Sequence, residues 1–248
     1  MSFLKFPALL ACLLLPLTLP AAPLRVGGFV VAPIITGSGN SPLQGALREY
    51  MEQKVVGHAG VELVWTPPTS LPRAMENLRN GSLDILLLTS GSLAPYNGVA
   101  PFNWSYLQAH PHLAVLKNSP LRAVQSLQQL AGVEIGWVGG SAVMDELNGV
   151  PIQWQFLTVQ DWQTLNLRKL QAGRIQAVFF ENEYSPRYYA ASEEIDIELV
   201  KLPLPARLFG MAYSLKANRA AIAQFDRVAA AAFVGEQFKA FLDQYLKR

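Results

Sequence analysis

Two kinds of apolar spacing alternate along this chain and lay out its elements. Short apolar runs bounded by turn residues read as buried strands, and apolar residues three and four apart read as helices. The clearest run is Leu83 to Leu88, entered from a helix stop at Asn80-Gly81 and left through Thr89-Ser90-Gly91-Ser92. It predicts a strand buried on both faces of a parallel sheet. Hydroxyls and free backbone just beyond such a strand sit where open α/β sheets bind ligands. Before it, Leu71, Ala74, Met75 and Leu78 form one helical stripe, with Ser70 placed to cap it and Gly81 to stop it. Leu43, Leu47, Met51 and Val55 form another. Leu24 to Val31 and Val61 to Trp65 predict two more strands. The first carries Gly27 and Gly28, where backbone can approach a ligand closely.

The pattern then repeats. Leu170-Gln-Ala-Gly-Arg-Ile-Gln-Ala-Val-Phe-Phe-Glu181 matches Leu78-Arg-Asn-Gly-Ser-Leu-Asp-Ile-Leu-Leu-Leu-Thr89, and Val133-Glu-Ile-Gly136 matches Leu24-Arg-Val-Gly27. Two similar βαβαβ halves imply two lobes, each with its own ligand edge. Thr89 and Glu181 then become equivalent strand-end residues facing each other across a cleft. Leu113 to Leu116, Ile152 to Leu157, Ile195 to Val200 and Leu208 to Leu215 predict further strands. Ser126 and Gln129 have capping-box spacing in a short helix, and Asp161 can cap a helix through Leu170. Two helices finish the chain, the last with Phe238, Phe241, Leu242, Tyr245 and Leu246 on one face. The chain leaves lobe one near Phe102–His110 and returns near Pro203–Phe209, which makes a two-segment hinge. The expected division is lobe one over 23–106 and 206–248, and lobe two over 107–205.

Residues 1–22 are a different kind of segment. Lys5 precedes an apolar run from Ala8 to Leu19, and Ala21-Ala22 follow, the pattern of a secretory signal. The run is too short to span a bilayer. Cys12 lies within it in a loose lipoprotein-like context, Leu9-Leu10-Ala11-Cys12, but the run continues through Leu15, which suits a signal core rather than a lipid anchor. Cys12 is also the one cysteine of the chain, so the mature protein holds no disulfide, as fits a bacterial envelope protein. Lys5 is the one charged residue of the segment, so the 20 basic residues fall to 19 against 18 acidic ones. A near-neutral chain of 248 residues with 51% hydrophobic content has ample core and no nucleic-acid footprint.

Candidate chemistry collects at the predicted strand ends. Thr89, Ser90 and Ser92 follow one buried strand, and Glu181 ends its counterpart. Gly139-Gly140-Ser141 follows the strand from Val133 and starts a helix through Leu147. N–H groups at such a start suit a carboxylate or other anion, and an ordinary tight βα turn is the alternative. The aromatic cluster Phe102, Trp104 and Tyr106 offers Trp104 as a ring to the cleft. His110 and His112 share a strand face and could pair on a metal, but no third ligand lies nearby, so no metal is assigned. The loop Thr36 to Pro42 is glycine-rich, yet no Gly-Lys-Ser/Thr follows it, so no phosphate loop is assigned.

Taken in order, Leu-Arg-Val-Gly27, LPRAMENLRNGSLDI, PFNWSYL, Lys117-Asn118-Ser119-Pro120, GVEIGWVGGSAVMDEL, LQAGRIQAVFFE and FGMAYSLKAN resemble the bacterial periplasmic solute-binding proteins of the type II fold, amino-acid-binding branch, over essentially the whole mature chain. The resemblance implies an α/β fold of two lobes, each a mostly parallel sheet flanked by helices, with two hinge crossings. It also implies a periplasmic monomer without cofactor, binding a small polar, amino-acid-like solute for an ABC-type inner-membrane permease. A sensing protein that serves a membrane receptor, or a dehydratase-like enzyme with Glu181 as general acid, are the alternatives. The family's carboxylate-clamping arginine falls at Tyr96, or Asn97 with one gap, and no Arg lies between Arg79 and Arg122. Its aromatic platform is replaced by Val31-Ala-Pro-Ile34, with Phe29 the nearest ring, while its acidic residue is kept in kind at Glu181. The expected recognition is therefore uncharged, through Tyr96, Asn97, Ser92 and the helix start at Ser141.

Overall fold

The computed structural model describes residues 22–90, 97–141 and 143–247. The signal segment apart from Ala22, Cys12 within it, and the candidate residues Ser92 and Tyr96 lie outside the described residues. The described chain contains strands β1 (Leu24–Gly27), β2 (Leu63–Trp65), β3 (Ile85–Thr89), β4 (Val99–Ala109), β5 (His112–Leu116), β6 (Glu134–Val138), β7 (Gln153–Leu157), β8 (Ala177–Phe180), β9 (Ile197–Lys201) and β10 (Arg207–Ser214). Helix α1 (Ala46–Met51) passes through a π-helical turn, Glu52–Val56, into α2 (Gly57–Ala59). It is followed by α3 (Leu71–Asn80), α4 (Trp162–Gln171), α5 (Tyr184–Ser192), α6 (Arg219–Ala232) and α7 (Gln237–Tyr245).

Two five-stranded sheets repeat one plan, in the orders β2-β1-β3-β10-β4 and β7-β6-β8-β5-β9. The internal sequence match survives in register: Val26 pairs with Ile85 and Gly27 with Leu86, while Ile135 pairs with Ala177 and Gly136 with Val178. Each sheet is mixed but mostly parallel, as the sequence suggested, with one strand running against the other four. Three strands run parallel, and β10 or β5 is inserted antiparallel between them and the outer strand. The reason is the double crossing. The chain leaves one sheet after β4 and enters the other at β5, then returns from β9 to β10, so these strands run back against their neighbours.

Each sheet has its own core. In the first, Leu47, Tyr50, Met51, Phe225, Phe238 and Leu242 are buried against the β1–β3 face and β10. Tyr50 sits edge-on to Phe238 at 5.4 Å, a geometry that adds to the free energy of area burial. Asp84, at the mouth of β3, is buried and takes two bonds from the Arg25 guanidinium, at 2.8 and 2.9 Å, which fixes β1 beside β3. Gly81 closes α3 in the left-handed region at φ 81°, the expected helix stop.

Three local expectations change. β1 ends at Gly27 rather than Val31, because the chain beyond it turns towards the second sheet. Among the described residues no helix starts at Ser141. Gly139 and Gly140 form a turn, and among the described residues the one regular piece between β6 and β7 is a 3-10 turn, Asp145–Leu147. Residues 141–151 are too few, with Gly149 and Pro151 among them, to lay down an amphipathic helix and return to a neighbouring strand. Ser70 precedes α3 in extended conformation, but its side chain makes no capping bond.

Candidate functional site

The ends of β3 and β8 meet from opposite sides of an interlobe cleft, and residues beyond them line a half-open cavity of about 150 Å³. Phe29, Val31, Leu71, Met75, Leu88, Thr89 and Ser90 contribute from the first sheet and its helix α3. Trp137, Val138, Gly140 and Ser141 come from the end of β6, and Trp162 and Gln163 from the start of α4. Phe180, Glu181, Asn182 and Ser185 come from the β8–α5 joint. Arg207 and Phe209 enter from β10, the returning hinge strand. The second lobe's wall is an aromatic stack, with Trp137 edge-on to Trp162 at 5.5 Å and Trp162 tilted against Phe180 at 5.8 Å.

The lobes are in contact around this cavity. Gln163 Nε2 donates to the Val30 carbonyl at 2.8 Å, and the Ala32 N–H donates to Tyr189 Oη at 3.2 Å. Burial pushes the Tyr189 phenol well up from its ordinary value, so it is a neutral acceptor at physiological pH. Gly140 faces Pro72 so closely that a Cβ built on it would stand 2.6 Å from Pro72 Cγ. This is a closed arrangement of the two lobes.

Glu181 is the polar centre of the closed cleft. Ser90 Oγ donates to Glu181 Oε2 at 2.6 Å. Arg207 donates to Oε1 through Nε at 3.2 Å and Nη2 at 3.1 Å. Both carboxylate oxygens are thus engaged, one by the first lobe and one by the hinge strand. Glu181 does not cap α5; its neighbour does, with Asn182 Oδ1 accepting from the N–H groups of Tyr184, at 2.9 Å, and Ser185, at 2.8 Å.

Two buried polar atoms in the wall have no partner: Gln163 Oε1 and Ser185 Oγ. Both side chains are 1% exposed. Buried polar groups are hydrogen-bonded in the great majority of proteins, so orphans that line a cavity point to a bound group.

Of the residues singled out from sequence, Phe29, Thr89, Ser90, Gly140, Ser141 and Glu181 share this cavity. Trp104 does not line it. Its indole Nε1 donates to Asp226 on α6 at 2.7 Å, and its ring stacks on Phe102 and Phe233, each at 5.2 Å, inside the first lobe. Asn97 is exposed in the turn before β4 and is not part of the wall. The cavity also holds an ion pair, and its arginine, Arg207, comes from the return crossing rather than the loop after β3. His112 Nδ1 donates to the His110 carbonyl at 2.8 Å. Among the described residues no group of three or more metal-capable side chains occurs, and no described helix is long and apolar enough to cross a membrane.

Arg207, Gln163, Ser185, Trp137 and Trp162 were not marked by the sequence. The cue for Arg207 was present, a lone basic residue just after the proline-marked crossing Leu202-Pro-Leu-Pro205. Gln163 and Ser185 look like ordinary helix residues until packing leaves their oxygens without partners.

No family model and no curated protein matches the sequence. Solved structures do match its fold. The substrate-binding protein of an amino acid ABC transporter superposes with a TM-score of 0.71 at 13% identity, covering 92% of this chain and 100% of that one. A P235GK mutant of ArgBP from T. maritima gives 0.72 at 17% identity, over 92% and 96%. A histidine kinase sensor domain with similarity to periplasmic binding proteins gives 0.74 at 16% identity, over 92% and 97%. The chain has the two-lobed α/β fold of the type II periplasmic binding proteins.

Proposed function

We propose that this chain is an extracytoplasmic solute-binding protein that captures a small polar solute between its lobes and presents the closed form to an ABC-type importer. The observation that carries the reading is the cavity between the lobes, with Glu181 held across it by Ser90 and Arg207 and two buried oxygens left without partners in its wall. The fold shared with an amino acid transporter's binding protein supports it. In this reading residues 1–22 direct export, 23–106 with 206–248 form lobe one, and 107–205 form lobe two. The ligand contacts are drawn from Phe29, Thr89, Ser90, Gly140, Ser141, Gln163, Glu181, Ser185 and Arg207. The protein acts as a monomer without cofactor. Ligand touches both lobes only when they are closed, so it stabilises that state by differential affinity. In this reading Glu181, bonded by Ser90 and Arg207, serves to hold the lobes rather than as a general acid.

Native mass spectrometry of freshly purified mature protein, followed by small-angle scattering with and without the recovered ligand, tests the reading. A co-purified small molecule and a smaller radius in its presence are expected. An unchanged radius with ligand bound would defeat the clamshell mechanism. A second reading, ligand sensing for a membrane receptor, is favoured by the likeness to a histidine kinase sensor domain. Loss of the gene separates the two, abolishing uptake of labelled ligand in the first case and only the response to it in the second.

A further inference from the structure

We propose, resting on the reading that the interlobe cavity is the solute site, that its ligand is a neutral single-ring molecule bearing one hydrogen-bond donor, phenol-like rather than an α-amino acid. Size comes first. An apolar protein cavity of about 150 Å³ accommodates a molecule of benzene size, and this cavity is about 150 Å³. Shape and chemistry agree. Trp137, Trp162 and Phe180 line one side, with Phe29, Met75 and Phe209 among the residues opposite. Ring faces and edges at such walls favour a planar ring in offset or edge-to-face contact.

Charge argues in the same direction. The cavity's two charges belong to Glu181 and Arg207, which bind each other at 3.1 Å, and Ser90 takes the other carboxylate oxygen. A net-charged ligand would find its counter-ion already neutralised. A zwitterion would have to part Arg207 from Glu181 to place its own carboxylate and ammonium groups. The polar capacity left over is neutral. Gln163 Nε2 is committed to the Val30 carbonyl, which turns Oε1 into the unpartnered acceptor. An amide oxygen accepts only, so it selects an O–H or N–H donor, while Ser185 Oγ can take either role.

The test is calorimetric titration of the stripped mature protein with phenol, toluene, benzoate and L-arginine. Phenol is expected to bind most tightly, toluene less so for want of a donor, and benzoate and L-arginine at least about tenfold more weakly than phenol, because each buries a charge without a free partner. Ser185→Ala should weaken phenol roughly 2- to 10-fold, the range for one neutral hydrogen bond, and leave toluene unchanged, while Gln163→Met should weaken phenol more than toluene. Ser185→Ala deletes one hydroxyl and keeps the α5 cap, so it remains informative if Gln163→Met disturbs the lobe contact. L-Arginine binding more tightly than phenol would overturn the ligand class and leave the solute-binding reading standing. So would the absence of phenol binding while native mass spectrometry still shows a co-purified solute. Phenol binding indifferent to both variants would overturn the assignment of the two oxygens. Failure to find any co-purified solute bears instead on the wider reading.

Discussion

Glu181→Gln removes the charge that ties the two lobes together while nearly preserving shape. In the closed structure the carboxylate takes one bond from Ser90 and two from Arg207, with side-chain exposures of 12% for Glu181 and 20% for Arg207. The amide that replaces it can turn its NH₂ towards Ser90 Oγ and keep that bond with roles reversed. The loss then falls on Arg207, whose charged acceptor becomes a neutral carbonyl. Hydrogen bonds to charged partners contribute roughly 1.5–3 kcal/mol and neutral ones about 0.5–1.5, so the expected cost is about 1–2 kcal/mol. Deleting one partner of a fully buried pair costs more, about 3–5 kcal/mol. Here an acceptor is retained and Arg207 keeps some access to water. These bonds cross the cleft, so the cost falls on closure: a shift of roughly 5- to 30-fold towards the open form.

Small-angle scattering of the ligand-free variant should show a larger radius than the parent. Calorimetry should show weaker ligand binding, because the competent state is less populated. Adding Arg207→Met should restore part of the closed population, since it removes the cation that Glu181→Gln leaves under-compensated. An unchanged radius together with unchanged affinity would refute the argument that this carboxylate holds the lobes. A lowered melting temperature with both of those intact would confine Glu181 to the stability of its own lobe.

Three further outcomes are expected. Gly140→Ala places a Cβ 2.6 Å from Pro72 Cγ at a residue with φ +89°, so it should weaken ligand binding and enlarge the scattering radius, with about 1–2 kcal/mol of backbone strain added; calorimetry and scattering measure both. Asn182→Ala removes the oxygen that caps two N–H groups of α5 and should lower stability to urea by about 1 kcal/mol. Burial, with Lys201 and His110 adding to it, holds the His112 imidazole below its ordinary value of 6.5, against the raising effects of its bond to the His110 carbonyl and of Glu183. The unfolded chain therefore binds this proton at higher pH than the native one, and stability should fall as pH drops from 6.5 through the depressed native value. Urea midpoints at pH 8 and pH 5 should differ less in His112→Gln than in the parent.

How much of this was legible follows from how locally each feature is encoded. The strands β3 and β8 and the glycine stop before β3 are written in consecutive residues, and the repeat between the halves shows in the sequence because both strands are buried on both faces. Glu181 could be placed at the cleft because a strand's end is a local feature. Trp104 shows where local reading stops. Phe102, Trp104 and Tyr106 share a face by the period of two, but a sheet has two faces, and alternation does not say which one meets the cleft. The choice was made more than a hundred residues later, where Phe225, Phe233 and Phe238 supply the layer that these rings pack against.

The arginine was missed for a related reason. A search of the loop after β3 assumes that a ligand site is assembled by the strand ends of one parallel sheet. In a fold crossed twice, the antiparallel strand β10 also begins at the cleft, so its first residue, Arg207, reaches a carboxylate 26 positions earlier in the chain. The consequence is chemical as well as topological. An arginine offered by a loop would face the ligand unpaired and would select an anion. An arginine offered by the hinge strand faces Glu181, and the pair it forms joins the lobes while withdrawing both charges from recognition. The same two residue types thus change from a site for a charged solute into a latch, and discrimination passes to the aromatic wall and to the two buried oxygens of Gln163 and Ser185.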